Sequence, residues 1–566
     1  MTGFVALFII YVFIWRTDAV GYGSVIYGDG NDYYSYLKAI FIDNNLGHQD
    51  TAPWYVIQTP TGTINVHTVG VSLLLLPFFL IGYVSASVFG FEMNGVSEPF
   101  QKMISIGALF YALAGLYFIR KLLLKLDIKD GVIAIVLPLI FFGTNLLNYA
   151  LNEPAMSHVY SFALISAFLY YSNDIFNSEN KKSIYISALL LGLIILVRPI
   201  NAIIVLILPF WSNSFKEFVS KLKGLIFTKT KLIAGASVIF ISTILIQSFV
   251  WLSQNGKMVQ WSYKDNGMYL LSPNTFKMLF GFNSGFFIYT PLCLILMFGL
   301  VLLFRENTYK FYAMVFFLAF VFYLFSCHWA YTYFDGLSIR PMVDLYAVFA
   351  ILGAKLISAT QKRLATVTVP VLGVFVFLNL VTCYQYKAGI LPAASMNYEK
   401  FKYIFLKTDS KYAGVLGGCN DLLPYAKKHP KVSFSYENTF DAEKQFDFSG
   451  KEFGVGHSAP IGSNTSKIYV KASLKRKETA VNSSANALVV FRIESPQQEL
   501  RNYQAYKLND TPSEHCCSWQ TWEYNVTMDG KIKADDVLSV FVWNKNKDSF
   551  LIDDFKIEVY NYNYEH

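Results

Sequence analysis

A polytopic α-helical membrane protein with a C-terminal extracytoplasmic antiparallel β-sandwich is the fold class this sequence predicts, and three observations predict it. The 566 residues are 54% hydrophobic and only 15% charged, against roughly 25% charge in ordinary globular domains. Long apolar runs recur from about residue 3 to 385, the pattern of helices that cross a bilayer. Beyond about 386 the chain turns polar and apolar residues begin to alternate, the period of half-buried strands.

The apolar runs predict eleven spans, near 3–16, 103–122, 132–150, 156–173, 184–197, 200–212, 232–253, 286–304, 309–327, 341–358 and 365–384. The first lacks a basic leader and a small-residue cleavage site, so it is expected to be a retained helix. Lys and Arg collect at 120–129, 181–182, 216–231, 305–310 and 362–363. Eleven spans with the N-terminus inside put all five clusters on the cytoplasmic side, as the positive-inside rule requires. The segments 17–102, 151–155, 254–285, 328–340 and the tail then face outward from the cytoplasmic membrane. The run "VGVSLLLLPFFLIGYVSASVFG" (69–90) is long enough to cross, but crossing would move the five clusters outside. It is therefore expected to be a re-entrant or interfacial helix, with an ordinary span as the alternative.

Three regions follow: 1–385 in the membrane, a linker over 386–430, and a sandwich over 431–566, a candidate for carbohydrate binding. Its expected strands include 466–475, 486–495, 519–527, 536–544 and 550–559, separated by polar turns. The formal charge of +8 sits between apolar segments, so it points to membrane lipids and not to nucleic acid. The six cysteines form no CxxC spacing. Cys293, Cys327 and Cys383 fall in or at apolar segments, whereas Cys419, Cys516 and Cys517 lie in the tail, where a bridge is open to an extracytoplasmic domain.

The stretch "VIYGDGNDYYSYLKAIF" (25–41) carries the sharpest candidates. Tyr33, Tyr36, Leu37, Ile40 and Phe41 keep helical spacing, predicting an amphipathic interfacial helix over 32–42. Asp29 precedes it in a glycine turn, either as a plain turn residue or as a base for an incoming hydroxyl. Asp32 sits in its first turn, where it or Asn31 caps the helix or where it serves the site. Glu153, Arg198 and Arg340 are costly near hydrocarbon and are functional candidates. A loop acid or cap is the plain reading of Glu153, and snorkelling that of Arg198. Arg340 follows Gly336 and Ser338 and precedes Pro341, a turn suited to present a guanidinium to phosphate. His67, His158 and His328 lie near the outer face without metal-ligand spacing, so hydrogen bonding is expected of them. His67 is a candidate substrate contact, and no metal or other cofactor is expected, a divalent ion remaining open. Trp329, Tyr331 and Tyr333 suit an interfacial aromatic belt or sugar stacking. Phosphate loops, dinucleotide fingerprints and GxSxG elbows are absent.

Over about residues 1–384 these fragments resemble the GT-C superfamily of membrane glycosyltransferases, near the protein O-mannosyltransferases and the aminoarabinose transferases of lipid A. The family's acidic motif in the first outer loop, commonly Asp-Glu with a tyrosine soon after, matches Asp29, Gly30 and Tyr33. Gly30 replaces the second acid, and Asp32 is the nearest substitute. "HTVGVSLLLLP" is similar to the family's Pro-Pro-Leu stretch leading into a helix of that loop, with His67, Thr68 and Val69 in place of the prolines. "NEPAMSH" is similar to a loop that often carries a further acid, here Glu153. "LVRPIN" and "GFFIYTP" are similar to recurrent bacterial segments, and "FDGLSIRPMVD" to a Gly-Ser-Gly-Arg turn, with Ile339 in place of the second glycine and Arg340 matching the arginine.

The resemblance implies an inverting transfer of a sugar from a polyprenyl-phosphate carrier to an acceptor hydroxyl of a glycan, lipid or protein. It implies catalytic roles for Asp29, Asp32 and Glu153 and phosphate binding by Arg340 and Arg198. His67, Ser338, Tyr33 and His328 would position substrates. Two alternatives stand beside it: a transporter or flippase of lipid-linked glycan, and a non-catalytic glycan-binding receptor. Charges that gather at span ends, without a clear internal repeat, speak against the transporter.

Overall fold

The computed structural model describes residues 25–561 apart from 48, 50, 52–55, 60–61, 178–179, 264–266, 329, 334–335, 360–361, 393–395, 397, 410–411, 413–430, 439–444, 480–486 and 509–516. The span expected over 3–16, the belt residue Trp329 and two of the tail cysteines, Cys419 and Cys516, lie outside them. In chain order the elements are α1 (Asp29–Phe41), β1 (Val56–Thr59), β2 (Gly62–Asn65), α2 (Gly70–Phe89), α3 (Glu98–Lys125), α4 (Asp130–Phe142), α5 (Leu146–Leu151), α6 (His158–Asn177) and α7 (Lys181–Val197). A 3-10 helix (Pro199–Trp211) follows, then α8 (Phe215–Thr228), α9 (Thr230–Asn255), α10 (Thr275–Phe280), α11 (Phe286–Tyr289), α12 (Pro291–Leu296), α13 (Gly299–Glu306) and α14 (Thr308–Ser326). A second 3-10 helix (Arg340–Leu345) precedes α15 (Tyr346–Ser358), α16 (Lys362–Lys387) and α17 (Tyr398–Ile404). The tail holds β3 (Lys431–Asn438), β4 (Phe446–Asp447), β5 (Phe453–Pro460), β6 (Thr465–Glu478), β7 (Ala487–Glu494), β8 (Leu500–Lys507), β9 (Gln520–Ile532), β10 (Val537–Asn544) and β11 (Phe550–Asn561).

These elements form two compact units: Met1–Lys264 with Phe286–Ser326 and Leu337–Cys383, and Asp265–Gly285 with Cys327–Gly336 and Tyr384–His566. The first is a helical bundle. Among the described residues five of its helical stretches are long and apolar enough to cross a membrane: α2, α3, α9, α14 and Arg340–Ser358. The Pro199–Trp211 helix and α8 make a sixth if that pair, bent by 112°, is one span.

Where the sequence suggested unbroken helices, two stretches are divided. The 132–150 stretch is α4 and α5, parted at Gly143–Asn145. Asn379 Nδ2 donates to the carbonyls of Phe142 and Thr144, both at 2.8 Å, so the carbonyls at the break keep partners. The 286–304 stretch is three short helices, the first break falling at Pro291, which has no N–H to continue the ladder. The Pro199–Trp211 helix buries Asn201, Ile204, Ile207 and Phe210 at the three-residue period of its turns, together with Ile203 and Trp211 beside that row. The 69–90 stretch, expected as a re-entrant or interfacial helix with an ordinary span as the alternative, is the single helix α2, with Pro77 inside it. It runs antiparallel along the first half of α3, with the Tyr111 hydroxyl donating to Leu74 O at 2.9 Å and Gly82 passing close to Phe100.

The second unit contains a four-stranded antiparallel sheet, β5-β10-β7-β8, and a five-stranded one built on β3-β11-β6-β9 with β4 beside β11. Alternate residues of both sheets, among them Val489, Phe491, Val540, Val470, Tyr524 and Ile557, join one buried apolar cluster. That is the alternation read from the sequence, turned into packing. Cys517 is disulfide-bonded, whereas Cys293, Cys327 and Cys383 are buried free thiols.

Candidate active site

The candidate residues gather around the start of α1. This helix begins at Asp29, earlier than the spacing suggested, because Gly28 makes the turn itself at φ 55°, a left-handed conformation that glycine adopts without strain. No side chain caps the helix, so neither Asn31 nor Asp32 has that role. Asp29 and Asp32 both occupy the first turn, three residues apart on one face and at the end of the helix that favours anions. Tyr33, Tyr34, Ser35, Tyr36 and Leu37 are all buried, whereas Ile40 and Phe41 are exposed, so protein encloses the first part of α1 on every side and the apolar face expected of an interfacial helix is open only at its end.

Side chains from the following segments fix this helix. Asn65 Nδ2 and the Ser35 hydroxyl each donate to the Asp32 carbonyl at 2.8 Å. The Ser72 hydroxyl donates to the Tyr33 carbonyl, and the Tyr36 hydroxyl to the His67 carbonyl at 2.6 Å. On the opposite side Gly30 meets the 152–157 loop so closely that a Cβ there would lie 2.7 Å from that of Ala155.

Asp29 Oδ2 lies 2.8 Å from Arg340 NH2. The pair joins residues more than 300 positions apart in the chain, on α1 and at the head of the second 3-10 helix. Both side chains keep partial access to solvent, 18% and 14% exposed. Arg340 NH1 also reaches the Met156 sulfur, at 3.9 Å. Just before it, Ser338 is buried in the left-handed region at φ 63°, a strained conformation for a non-glycine residue. Its hydroxyl makes no hydrogen bond among the described residues.

Asp32 is fully buried with Oδ2 3.3 Å from His67 Nδ1. Burial pushes its carboxyl up to about 6, opposed by His67 and reinforced by the Asp29 charge. The His67 ring packs 4.5 Å from that of Tyr33 and 6.3 Å edge-on to Tyr263. Burial raises the Tyr33 phenol well above its ordinary range; Arg198 opposes this, and Asp29 and Tyr263 add to it. Glu153 is buried in the loop that packs on Gly30, and Asn148 donates to its Oε1 at 3.2 Å.

Arg198 stands at the joint between α7 and the first 3-10 helix. It turns inward instead of snorkelling, with NH1 2.8 Å from His158 Nδ1 and 3.5 Å from Asp344 Oδ2. The structure thus brings together Asp29, Asp32, Tyr33, His67, Glu153, Arg198, Ser338 and Arg340. His328 belongs to the second unit, where its ring stacks on Tyr333 at 4.9 Å. The sequence reading missed Asp344, Asn201, Ser157 and Tyr263. The available signal for Asp344 was an acid four residues after Arg340 within a helical run. Among the described residues no three His, Cys, Asp or Glu side chains converge as a metal site.

A part-exposed carboxylate beside a guanidinium, with a second acid titrating near 6 one helical turn away, is equipped to take a proton next to a bound anion.

No protein-family profile matches the chain, and no curated protein matches it in sequence. Solved structures do match. ArnT from Cupriavidus metallidurans, bound to undecaprenyl phosphate, is 10% identical over 69% of this chain and 65% of its own, with a TM-score of 0.40. The archaeal oligosaccharyltransferase AglB from Archaeoglobus fulgidus, in complex with an inhibitory peptide and a dolichol-phosphate, is 12% identical over 72% of this chain and 59% of its own, at 0.42. The arabinosyltransferase EmbB from Mycobacterium smegmatis is 11% identical over 99% of this chain and 64% of its own, at 0.39. The chain therefore spans less than two thirds of the length of each of these three transferases, to which it is similar.

Proposed function

We propose that this chain is an inverting glycosyltransferase that moves a sugar from a polyprenyl-phosphate carrier to an acceptor hydroxyl at the outer face of the membrane. Asp29 takes the hydroxyl proton. The acceptor oxygen forms the new bond to the anomeric carbon, and the bond from that carbon to the phosphate oxygen breaks. Its electron pair leaves on the polyprenyl phosphate, which is already a stable anion and needs no acid to depart. Arg340 and Arg198 hold that anion, while Glu153, Asp32, Tyr33, His67 and Ser338 position the substrates.

The observation that carries this reading is the Asp29–Arg340 contact at 2.8 Å, which sets a base and an anion-holding group at one point with partial access. With no donor bound, each neutralises the other. A donor phosphate that takes Arg340 leaves the Asp29 carboxylate free to accept a proton.

The eleven-span arrangement, with the N-terminus inside and the tail outside the cytoplasmic membrane, belongs to the same proposal. The disulfide at Cys517 supports an oxidising location for the tail. The two sheets of that tail are read as a sandwich that contacts glycan. Phe453, 56% exposed, lies parallel to Trp543 on the four-stranded sheet at a centroid distance of 6.3 Å, and flat aromatic faces of this kind suit sugar rings.

The test is transfer from a polyprenyl-phosphate-linked sugar by purified protein in lipid. Asp29→Asn is expected to abolish transfer while the protein stays folded; unchanged turnover would remove Asp29 from the role of base. Movement of the lipid-linked sugar across a bilayer with no transfer to any acceptor would replace the enzyme by a flippase.

A further inference from the structure

Beside Arg198 of the proposed phosphate clamp lies a buried acid that the reaction as written does not use. Asp344, on the 3-10 helix headed by Arg340, is completely buried. Its Oδ1 lies 2.9 Å from His158 Nδ1 at the start of α6. Its Oδ2 accepts from Asn201 Nδ2 at 2.7 Å and lies 3.5 Å from Arg198 NH1. Asn201 is buried too, and its Nδ2 also reaches the Ser161 hydroxyl at 3.1 Å. Two segments thus meet on one carboxylate of the second 3-10 helix: the start of α6, through His158, and the joint from α7 into the first 3-10 helix, through Arg198 and Asn201.

The chemistry of the partners ranks them. Asn201 is a neutral donor and His158 is an imidazole shared with Arg198, so among the described residues the permanent positive charge beside Asp344 is the Arg198 guanidinium. His158 Nδ1 faces both Arg198 at 2.8 Å and Asp344 at 2.9 Å. An arginine only donates and a carboxylate only accepts, so this nitrogen serves one of them at a time. His158 is a swivel between the acid and the arginine, and the Asp344–Arg198 attraction is what persists. Asp344 is walled in, whereas Arg198 keeps 15% of its side chain exposed, so within the pair the arginine has the freedom to move and the acid has none.

We infer that Asp344 is a positioning residue that holds the Arg198 guanidinium toward the site, with Asn201 and His158 fixing the carboxylate. The inference rests on the reading of Arg198 as a donor-phosphate ligand. It adds that the effect of Asp344 on the donor passes through Arg198 alone.

A double-mutant cycle on the full-length protein in lipid tests it, with the KM for a polyprenyl-phosphate-linked sugar and kcat measured separately. Arg198→Gln is expected to raise the donor KM about 10-fold, the loss of one charge-assisted contact. Asp344→Asn is expected to raise it by a similar factor with kcat within about twofold, and the double variant should be no worse than Arg198→Gln. Multiplicative losses in the double variant, or a wild-type donor KM in Asp344→Asn, overturn the inference. If Asp344→Asn alone fails to fold because it leaves an arginine charge unmatched, the double variant, which removes both charges, still decides by comparison with Arg198→Gln. A wild-type donor KM in Arg198→Gln overturns the phosphate reading of Arg198 itself and the inference with it. A donor KM raised in Arg198→Gln beside a wild-type donor KM in Asp344→Asn overturns the inference alone and leaves the phosphate reading of Arg198 standing.

Discussion

Two arginine–aspartate pairs meet in the helical unit, and they are built in opposite ways. Asp29 and Arg340 form a close contact with both side chains part-exposed. Asp344 is fully enclosed and shared among Arg198, His158 and Asn201. An ion pair open to solvent on one side can exchange a partner for an incoming anion, which restores the lost charge contact. A buried carboxylate with several donors is costly to disturb, because removing one partner strands a charge away from water. The comparison assigns chemistry to the exchangeable pair and geometry to the fixed one.

The largest expected effect breaks the exchangeable pair at its acid. Asp29→Asn should lower kcat by about 10²- to 10⁴-fold, the usual contribution of a general base, with little change in thermal stability. A loss seen mainly in the donor KM would make Asp29 a partner of Arg340 and nothing more. Arg340→Gln comes next. It should raise the donor KM about 10- to 100-fold, as the loss of one or two charge-assisted bonds to phosphate implies, and a wild-type KM would place the phosphate elsewhere.

Gly30→Ala sharpens the comparison by disturbing the scaffold beside the exchangeable pair while leaving both of its side chains in place. The added methyl would fall 2.7 Å from the Ala155 Cβ, so the helix start or the 152–157 loop must shift, at a cost of about 1–3 kcal/mol. Denaturant unfolding should show that loss, and activity should fall with it. An unaltered midpoint would mean that the loop yields freely.

The smallest effect concerns Asp32. Its carboxyl is raised from the usual 3.8 to about 6 in the folded protein, chiefly by burial. The folded state therefore binds this proton more tightly than the unfolded chain. The stability that results is complete below about pH 4 and is lost as pH rises through 6. Asp32→Asn should flatten that part of the Tm profile between pH 4 and 7, and an unchanged slope would show that the carboxyl titrates as an exposed one does.

Much of this arrangement was legible in the sequence, and the illegible part has a physical pattern. Apolar runs announced the helices, and alternation announced the tail strands, because both are local periodicities. The breaks after α4 and within 286–304 were hidden, since the carbonyls at the first are satisfied by Asn379, more than 230 residues further on. Arg340 and Asp29 were each legible as costly or well-placed ions, yet their contact was not. Asp344 was passed over altogether: it reads as one acid in an apolar run, and its partner His158 lies 186 residues away. Conversely, the spacing of Tyr33, Tyr36 and Leu37 described a one-sided helix, whereas Asn65 of β2, Ser72 of α2 and the 152–157 loop close around its first turns and leave Ile40 and Phe41 exposed.

The carbonyls of Asp32 and Tyr33 are tied to the side chains of Asn65, Ser35 and Ser72, and Gln49 Oε1 receives both Ser35, at 2.7 Å, and Asn65, at 2.8 Å. The position of the two acids is thereby set by neutral amides and alcohols to which the proposed reaction gives no part. Saturation mutagenesis would consequently score positions 49, 65 and 72 as intolerant, and a reader of that map alone would mistake this scaffolding for a binding pocket.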